Sequence, residues 1–117
     1  MSGEELKHAL QKYNRMIVWV KSNEERIIAI TLYSEGMEES KKELIVANHY
    51  YYTMLETVDD FILWLEEPIK SMVQDKYIKQ LSDVELELDY NYCRMHMMRM
   101  IEDRANEYIL KKMLHVT

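Results

Sequence analysis

The sequence contains little of what tight turns and crosslinks require: two glycines, one proline and one cysteine among 117 residues. Because turns and hairpins draw on glycine and proline, their scarcity favours long helices joined by short connections. The single cysteine, Cys93, excludes an intramolecular disulfide, and we interpret it as a half-buried thiol in a reduced, cytoplasmic protein. No apolar run reaches the roughly 18 residues of a membrane span, and the polar, acidic start does not resemble a secretion signal.

The sequence also lacks the patterns that metal binding and covalent chemistry use. His8, His49 and His115 are scattered, and no His-x-x-x-His or Cys-x-x-Cys spacing occurs, so we predict no metal and no cofactor. Adjacent carboxylates such as Asp59 and Asp60 point in different directions on a helix and do not form an acid–base pair. There is no glycine-rich phosphate loop and no nucleophile–base set, so we predict that the protein is not an enzyme.

What the sequence does contain is ordinary for a soluble globular chain. Apolar residues make up 48% and charged residues 31%, which is enough apolar material for one compact domain or for a small module on a helical arm. The formal net charge is −6. This sign counts against a nucleic-acid partner, although a local basic face overrides a global charge.

The first half predicts two long helices with matching apolar stripes. The first helix runs from about residue 3 to residue 33 and the second from about residue 39 to residue 66, with Gly36 as the break between them. In each helix apolar or aromatic residues recur every seven positions, namely Leu6, Tyr13, Val20 and Ile27, then Leu44, Tyr51, Val58 and Leu65. Stripes of this kind pack helix on helix. We therefore predict that residues 1–67 form an antiparallel helical hairpin that mediates self-association as a homodimer.

The second half predicts three shorter elements. Pro68 suits the first turn of a helix, which we expect to reach about Gln80. Ser82 is a good N-cap, and Glu85 three residues later completes a capping-box pattern.

A short helix would follow over residues 83–89, and Asn91 tolerates the left-handed backbone of a tight turn. The last helix would run from about Tyr92 to Met113. A short helix, a tight turn and a longer helix form the outline of a helix-turn-helix. The predicted fold is therefore all-α, an N-terminal antiparallel hairpin followed by a three-helix helix-turn-helix module over residues 68–117.

Three stretches of this second half, "YIKQLS", "ELDYNY" and "HMMRM", resemble a known family. They are similar to the C-terminal module of phage late-gene transcriptional regulators of the ArpU and RinA type, itself similar to region 4 of bacterial sigma factors. The positions that match are Tyr77, Ile78, Leu81, Ser82, Leu86, Asn91, Tyr92, His96, Arg99 and Met100. Gln80 and Asn91 stand where the family pattern has glycine.

The resemblance implies a phage or prophage transcriptional regulator that binds double-stranded DNA and acts with RNA polymerase. In a helix-turn-helix the second helix lies in the major groove, and its first turns contact bases and phosphates. The predicted DNA-binding residues are Arg94, Met95, His96, Met98 and Arg99, and Arg104 lies further along the same helix. Met97, Met100 and Ile101 would form its packed side.

The acidic residues near this helix support alternatives. Asp83, Glu85, Glu87 and Asp89 would lie beside the DNA backbone and repel phosphates. In the first alternative, the chain is a protein-interaction module that keeps a helix-turn-helix shape without binding DNA. Such a module would be an inhibitor or antagonist of a transcription factor, or a mobile-element accessory protein, with RNA polymerase or another regulator as its partner. A third possibility is an oligomeric helical scaffold.

The remaining features each have two interpretations. Arg94 and Arg99 are either DNA contacts or solvated side chains that pair with Glu102 or Asp103. The methionines around Met97 either fill the core or line an adaptable groove for a partner. Of three successive tyrosines, Tyr50 to Tyr52, one belongs to the hairpin seam and the others lie on the surface or in a subunit contact. We expect Trp19 and Trp64 to cover the C-terminal helices or a dimer partner.

Overall fold

The computed structural model describes residues 1–34 and 36–115, and every regular element in this part of the chain is helical. Five α-helices and one π-helical turn follow each other, and no strand occurs among these residues. The predicted all-α class is confirmed. The finer arrangement, a hairpin followed by a three-helix module, is compatible with the contacts described below.

The two long helices lie close to their predicted bounds. Helix α1 spans Gly3–Tyr33, and the Ser2 hydroxyl caps it by accepting from the Glu5 amide at 3.1 Å. Helix α2 spans Glu38–Trp64. Gly36, in the turn between them, has a φ of 91°, a left-handed conformation that glycine adopts without steric cost.

Contacts between α1 and α2 show that they run antiparallel. The Asn23 amide donates to Asn48 Oδ1 at 3.0 Å near the turn, and the Tyr13 hydroxyl donates to Asp59 at 2.8 Å further away. Asn48, although polar, is buried, and its amide also donates to the Val20 carbonyl at 3.2 Å. Asn23 and Asn48 therefore form a paired hydrogen-bonding site across the hairpin.

The helix predicted to run from Pro68 to Gln80 is shorter and less regular. Helix α3 spans only Ile69–Val73, and Gln74–Ile78 continues it as a π-helical turn. Pro68 occupies the N-cap position immediately before α3 and not the first turn of the helix. The helix stops because Gln80 has a φ of 58°, which no right-handed helix accommodates, and the Leu81 amide turns back to the Asp75 carbonyl at 2.9 Å.

The last two helices bracket the predicted turn. Helix α4 spans Asp83–Tyr90, and the Ser82 side chain accepts from the Glu85 amide at 3.2 Å, as the capping pattern predicts. Asn91 has a φ of 58°, the left-handed conformation expected of it. Helix α5 spans Arg94–His115. It starts two residues later than Tyr92, the start predicted from the sequence.

One core joins both halves of the chain. Fully buried side chains come from every helix, including Leu6 and Leu10 of α1, Phe61 of α2, Met72 of α3, Leu86 of α4 and Ile101 of α5. Trp64 stacks on Phe61 and meets the Tyr108 ring of α5 edge-on, with ring centroids 5.6 Å apart. It thus covers the C-terminal helices, which was one of its two expected roles. The division of the chain at residue 67 stays a prediction.

The hairpin extends beyond this core. We call residues 18–34 and 36–52 the arm, and the remaining described residues the base. In the arm only Val20 and Asn48 are buried. The molecule measures 57 × 39 × 18 Å, which fits a thin projecting hairpin.

Candidate nucleic-acid interface

A short connection fixes α4 against the π-helical turn and so sets the direction of α5. The Tyr90 hydroxyl donates to Asp75 Oδ2 at 2.5 Å, and Leu86 is buried in the core. Burial, and then the hydrogen bond with Asp75, raise the pKa of Tyr90, which keeps the phenol protonated as the donor. On α5, Met97 and Ile101 are buried and Met100 is half-buried, as predicted for the packed side.

The opposite side of α5 holds the predicted DNA-binding residues. Arg94, His96 and Arg99 are exposed, and the Met95 side chain is 76% exposed. Met98 is half-buried. All five lie in the first two turns of α5, where a recognition helix presents its side chains.

The structure brings four of the five together. Arg94, Met95, Met98 and Arg99 line a shallow depression of about 340 Å³, together with Glu102. His96 lies outside the depression, and its ring is 5.1 Å from the Tyr92 ring. His96 therefore lies beside the turn that precedes α5 and not in the cluster of the other four residues.

Carboxylates of α4 hold Arg94. Its Nε is 3.2 Å from Asp83 Oδ2, and its backbone amide donates to Glu87 Oε1 at 3.0 Å. The suggested pairing of Arg94 with Glu102 or Asp103 is therefore wrong. Asp83 lies across the turn and reaches Arg94, whereas Glu102 pairs with Lys7 of α1 at 2.6 Å.

Arg99 differs from Arg94. In the part of the chain that the structure describes, no carboxylate lies within ion-pair distance of its guanidinium group, so its suggested pairing with Glu102 or Asp103 is not observed either. An exposed guanidinium group without a partner is free to bind phosphate or the edge of a guanine. Arg99 is therefore the most available cation of the predicted site.

The surroundings of the site are acidic. Residues 83–104 contain three arginines and six carboxylates, a formal net charge of −3. One of the three, Arg104, pairs with Glu66 at 2.7 Å and with Glu107 at 2.9 Å, so it links α5 to the end of α2. The cationic surface that faces outward is therefore small.

One buried polar group near the site has no partner. The Tyr77 hydroxyl, on the π-helical turn, has no hydrogen-bond partner among the described residues. Burial raises the pKa of this phenol to about 12. The neighbouring Lys76 ammonium lies 5.7 Å from the centre of the Tyr77 ring, and it also lies 3.5 Å from Asp83.

Two features of the site were not foreseen from the sequence. Glu87 accepts from the first amide of α5, a role that only the tight turn between the helices makes possible. Cys93, expected to be half-buried, is exposed and lies immediately before α5, where its carbonyl accepts from the Met97 amide at 3.1 Å.

Comparison of the chain with protein-family models, curated proteins and solved structures finds no match. The described residues contain no cluster of His, Cys, Asp and Glu with the geometry of a metal site. Within the same residues, no helix has the length and apolar character needed to cross a membrane.

Proposed function

We propose that this chain is a small cytoplasmic regulator of transcription that binds double-stranded DNA through α4 and α5 and acts together with RNA polymerase. The proposal is carried by the two left-handed residues that bracket α4, Gln80 and Asn91, each with a φ of 58°. These are the two positions at which the regulators resembled by the sequence have glycine. Since glycine is the residue that adopts this backbone without cost, left-handed residues at these two positions support the proposal.

The geometry of α5 supports the same proposal. A capped α4 and a tight turn leave the first two turns of α5 open to solvent, with Arg94 and Arg99 on the outside. In this proposal α5 lies in the major groove, Arg99 contacts a base edge or a phosphate, and Met95 and Met98 contact the groove wall. The activity is placement of RNA polymerase at a promoter and involves no covalent chemistry.

The test is a fluorescence-anisotropy titration of a mixed-sequence DNA duplex. We expect binding at about 50 mM salt that weakens as salt rises, because phosphate contacts release counterions. Arg99→Ala should weaken binding about tenfold, whereas Lys21→Ala, an exposed cation on the arm, should change it little. Asp83→Asn should strengthen binding, because it removes a negative charge and frees Arg94.

Absence of binding at low salt, or an equal loss for Arg99→Ala and Lys21→Ala, would remove the DNA proposal. The second result would mean that the duplex attracts cations anywhere on the protein and that α5 has no special role.

The excess of carboxylates over arginines in residues 83–104 supports a second candidate. In this proposal the chain is a protein-interaction module of the same shape, an inhibitor or antagonist that binds RNA polymerase or another regulator and no DNA. Exposed Met95 beside half-buried Met98 gives an adaptable apolar contact. Purified bacterial RNA polymerase should then bind the chain after nuclease treatment, and Met95→Glu should weaken binding while Met37→Glu, in the hairpin turn, should not.

A further inference from the structure

Ten apolar side chains of the arm are exposed to solvent. They are Val18, Trp19, Ile28, Leu32, Tyr33, Met37, Ile45, Val46, Tyr50 and Tyr52. The four aromatic residues alone, at 38–83% exposure, present about 450 Å² of surface. The largest apolar patch of a typical monomer is about 300–600 Å², and a stable interface buries about 800 Å² per partner. The ten side chains point to more than one side of the arm, and four of them, Trp19, Tyr33, Val46 and Tyr50, lie on one face.

One face of the hairpin, which we call the groove face, extends from the arm into the base. On α1 the residues with 4-3 helical spacing that flank the seam with α2 are all exposed: His8, Lys12, Arg15, Trp19, Ser22, Arg26, Ala29 and Tyr33. On α2 the corresponding exposed residues are Glu39, Glu43, Val46, Tyr50 and Thr53. Spacing of this kind is that of a coiled-coil seam.

A groove runs between these two stripes. It has a volume of about 400 Å³, and Met16 and Met54 lie in it beside the aromatic rings of Trp19, Tyr50 and Tyr51. The Tyr51 ring lies 5.4 Å from Trp19 and 5.8 Å from Tyr50, so the three rings form one cluster. Aromatic and methionine side chains of this kind are enriched in protein interfaces.

The charges of the groove face differ between its two helices, although Glu5 of α1, which also lines the groove, is anionic. Lys12, Arg15 and Arg26 of α1 are cationic, and none of them has a carboxylate within ion-pair distance in the described part of the chain. Glu39 and Glu43 of α2 are anionic, and Glu39 has only an exposed ion pair with Lys42 at 3.8 Å. Over their full lengths α1 has a net charge of +1 and α2 of −4.

We propose that a second copy of this chain packs on the groove face, with α1 of each copy against α2 of the other. This pairing opposes cations to carboxylates, whereas α1 against α1 would oppose cations to cations. The pairing requires a two-fold axis parallel to the helices. Both bases, each with its α5, then lie at the same end of a four-helix bundle. The proposal does not rest on DNA binding, so the two can fail separately.

The test is sedimentation velocity from about 1 to about 100 μM protein without DNA. We expect a dimer, and Val46→Glu should raise its dissociation constant about 30-fold or more by burying a charge in an apolar contact. Val46 is 69% exposed in the single chain, so folding should be unaffected. Leu88→Glu on α4, at a position 78% exposed, is the matched control and should leave the dimer intact.

Charge reversal tests which helices meet. The register set by Asn23 and Asn48 puts Arg26 within one turn of the height of Glu43. Arg26→Glu or Glu43→Lys alone should weaken the dimer about tenfold, and the two together should restore most of the affinity. If α1 instead meets α1, Arg26→Glu alone should strengthen the dimer.

Because Cys93 is the single cysteine and is exposed, a spin label on it reports where the two bases lie. We expect a single distance between the two labels, one on each copy, that is shorter than the 57 Å length of the molecule. The proposal would be overturned if the chain were a monomer at all concentrations, or if Leu88→Glu disrupted the dimer and Val46→Glu did not. A stronger dimer with Arg26→Glu, or labels separated by more than this length, would also overturn it.

Discussion

The base and the arm are built from the same two helices with the same seven-residue repeat, yet they bury very different amounts of apolar surface. In the base, Leu6, Leu10 and Phe61 have no exposed surface, because α3, the π-helical turn and α5 lie against the hairpin. In the arm, Ile27, Ile30 and Leu44 continue the pattern but are only half-buried. A two-helix layer is too thin to exclude water from its seam, so a third layer, and not the repeat itself, produces a core.

This difference also separates stability from association. The base contains most of the burial that stabilises the single chain, since apolar burial contributes roughly 25 cal/mol per Å². The arm leaves its apolar residues where a second copy can reach them. Changes in the base should therefore act on folding, and changes on the outer surface of the arm should act on association.

The largest effect should come from removing a buried leucine of the base. Leu10→Ala should lower the free energy of unfolding by about 3 kcal/mol, through lost burial and the cavity left behind. Leu32→Ala in the arm, at a position 64% exposed, should lower it by less than about 0.5 kcal/mol. Urea denaturation followed by circular dichroism, at a concentration where the chain is monomeric, measures both.

A similar loss of unfolding free energy for Leu10→Ala and Leu32→Ala would contradict this difference between the base and the arm. It would mean that the arm is sealed in the single chain, and the surface proposed for a second copy would then not exist.

The next largest effect concerns the one buried polar residue of the arm. Asn48→Ala should lower the free energy of unfolding by about 1–2 kcal/mol, because Asn23 loses its acceptor in a part-buried site. Asn23→Ala and the double variant complete a cycle that isolates the bond between the two amides. A coupling energy near zero would show that water replaces this bond freely and that the arm is more open than the base throughout.

The helices were predictable because their signals are local. Ser82 caps α4, Gly36 and Asn91 adopt left-handed turns, and the apolar repeats indicate residues that meet in the seam. The exception is the stretch after Pro68, where the sequence predicts one regular helix. The π-helical turn there contains Asp75, whose carboxylate accepts from the Tyr90 hydroxyl of a later helix, and local propensity contains no information on such a contact.

The candidate site was predictable in its exposed residues and not in its electrostatics. Arg94 and Arg99 were predicted to be open to solvent at the start of α5, and the structure leaves both exposed. Which carboxylate holds Arg94 depends on the angle at which α4 meets α5 across the Asn91 turn, a tertiary feature.

The smallest effect should appear as pH dependence in the base. Asp60 accepts from the Tyr108 hydroxyl at 2.5 Å and from Lys112 at 2.9 Å, and these two interactions, Tyr108 first, lower the pKa of its carboxyl below 3.8. A lowered pKa in the folded state contributes stability that is present above about pH 4 and is lost as pH falls through the folded-state pKa. Because the Asp60 side chain is 53% exposed, solvent screening limits this contribution to less than about 1 kcal/mol.

Asp60→Asn should therefore lower the free energy of unfolding slightly at about pH 7, and its difference from the unmodified chain should shrink by about pH 3. Urea titrations at the two pH values measure this difference. Tyr108→Phe, which removes the hydroxyl donor, should reduce the pH dependence in the same direction. A difference that stays constant down to the lower pH would mean that Asn disturbs packing between α2 and α5, and that the carboxylate contributes no charge-dependent stability to the base.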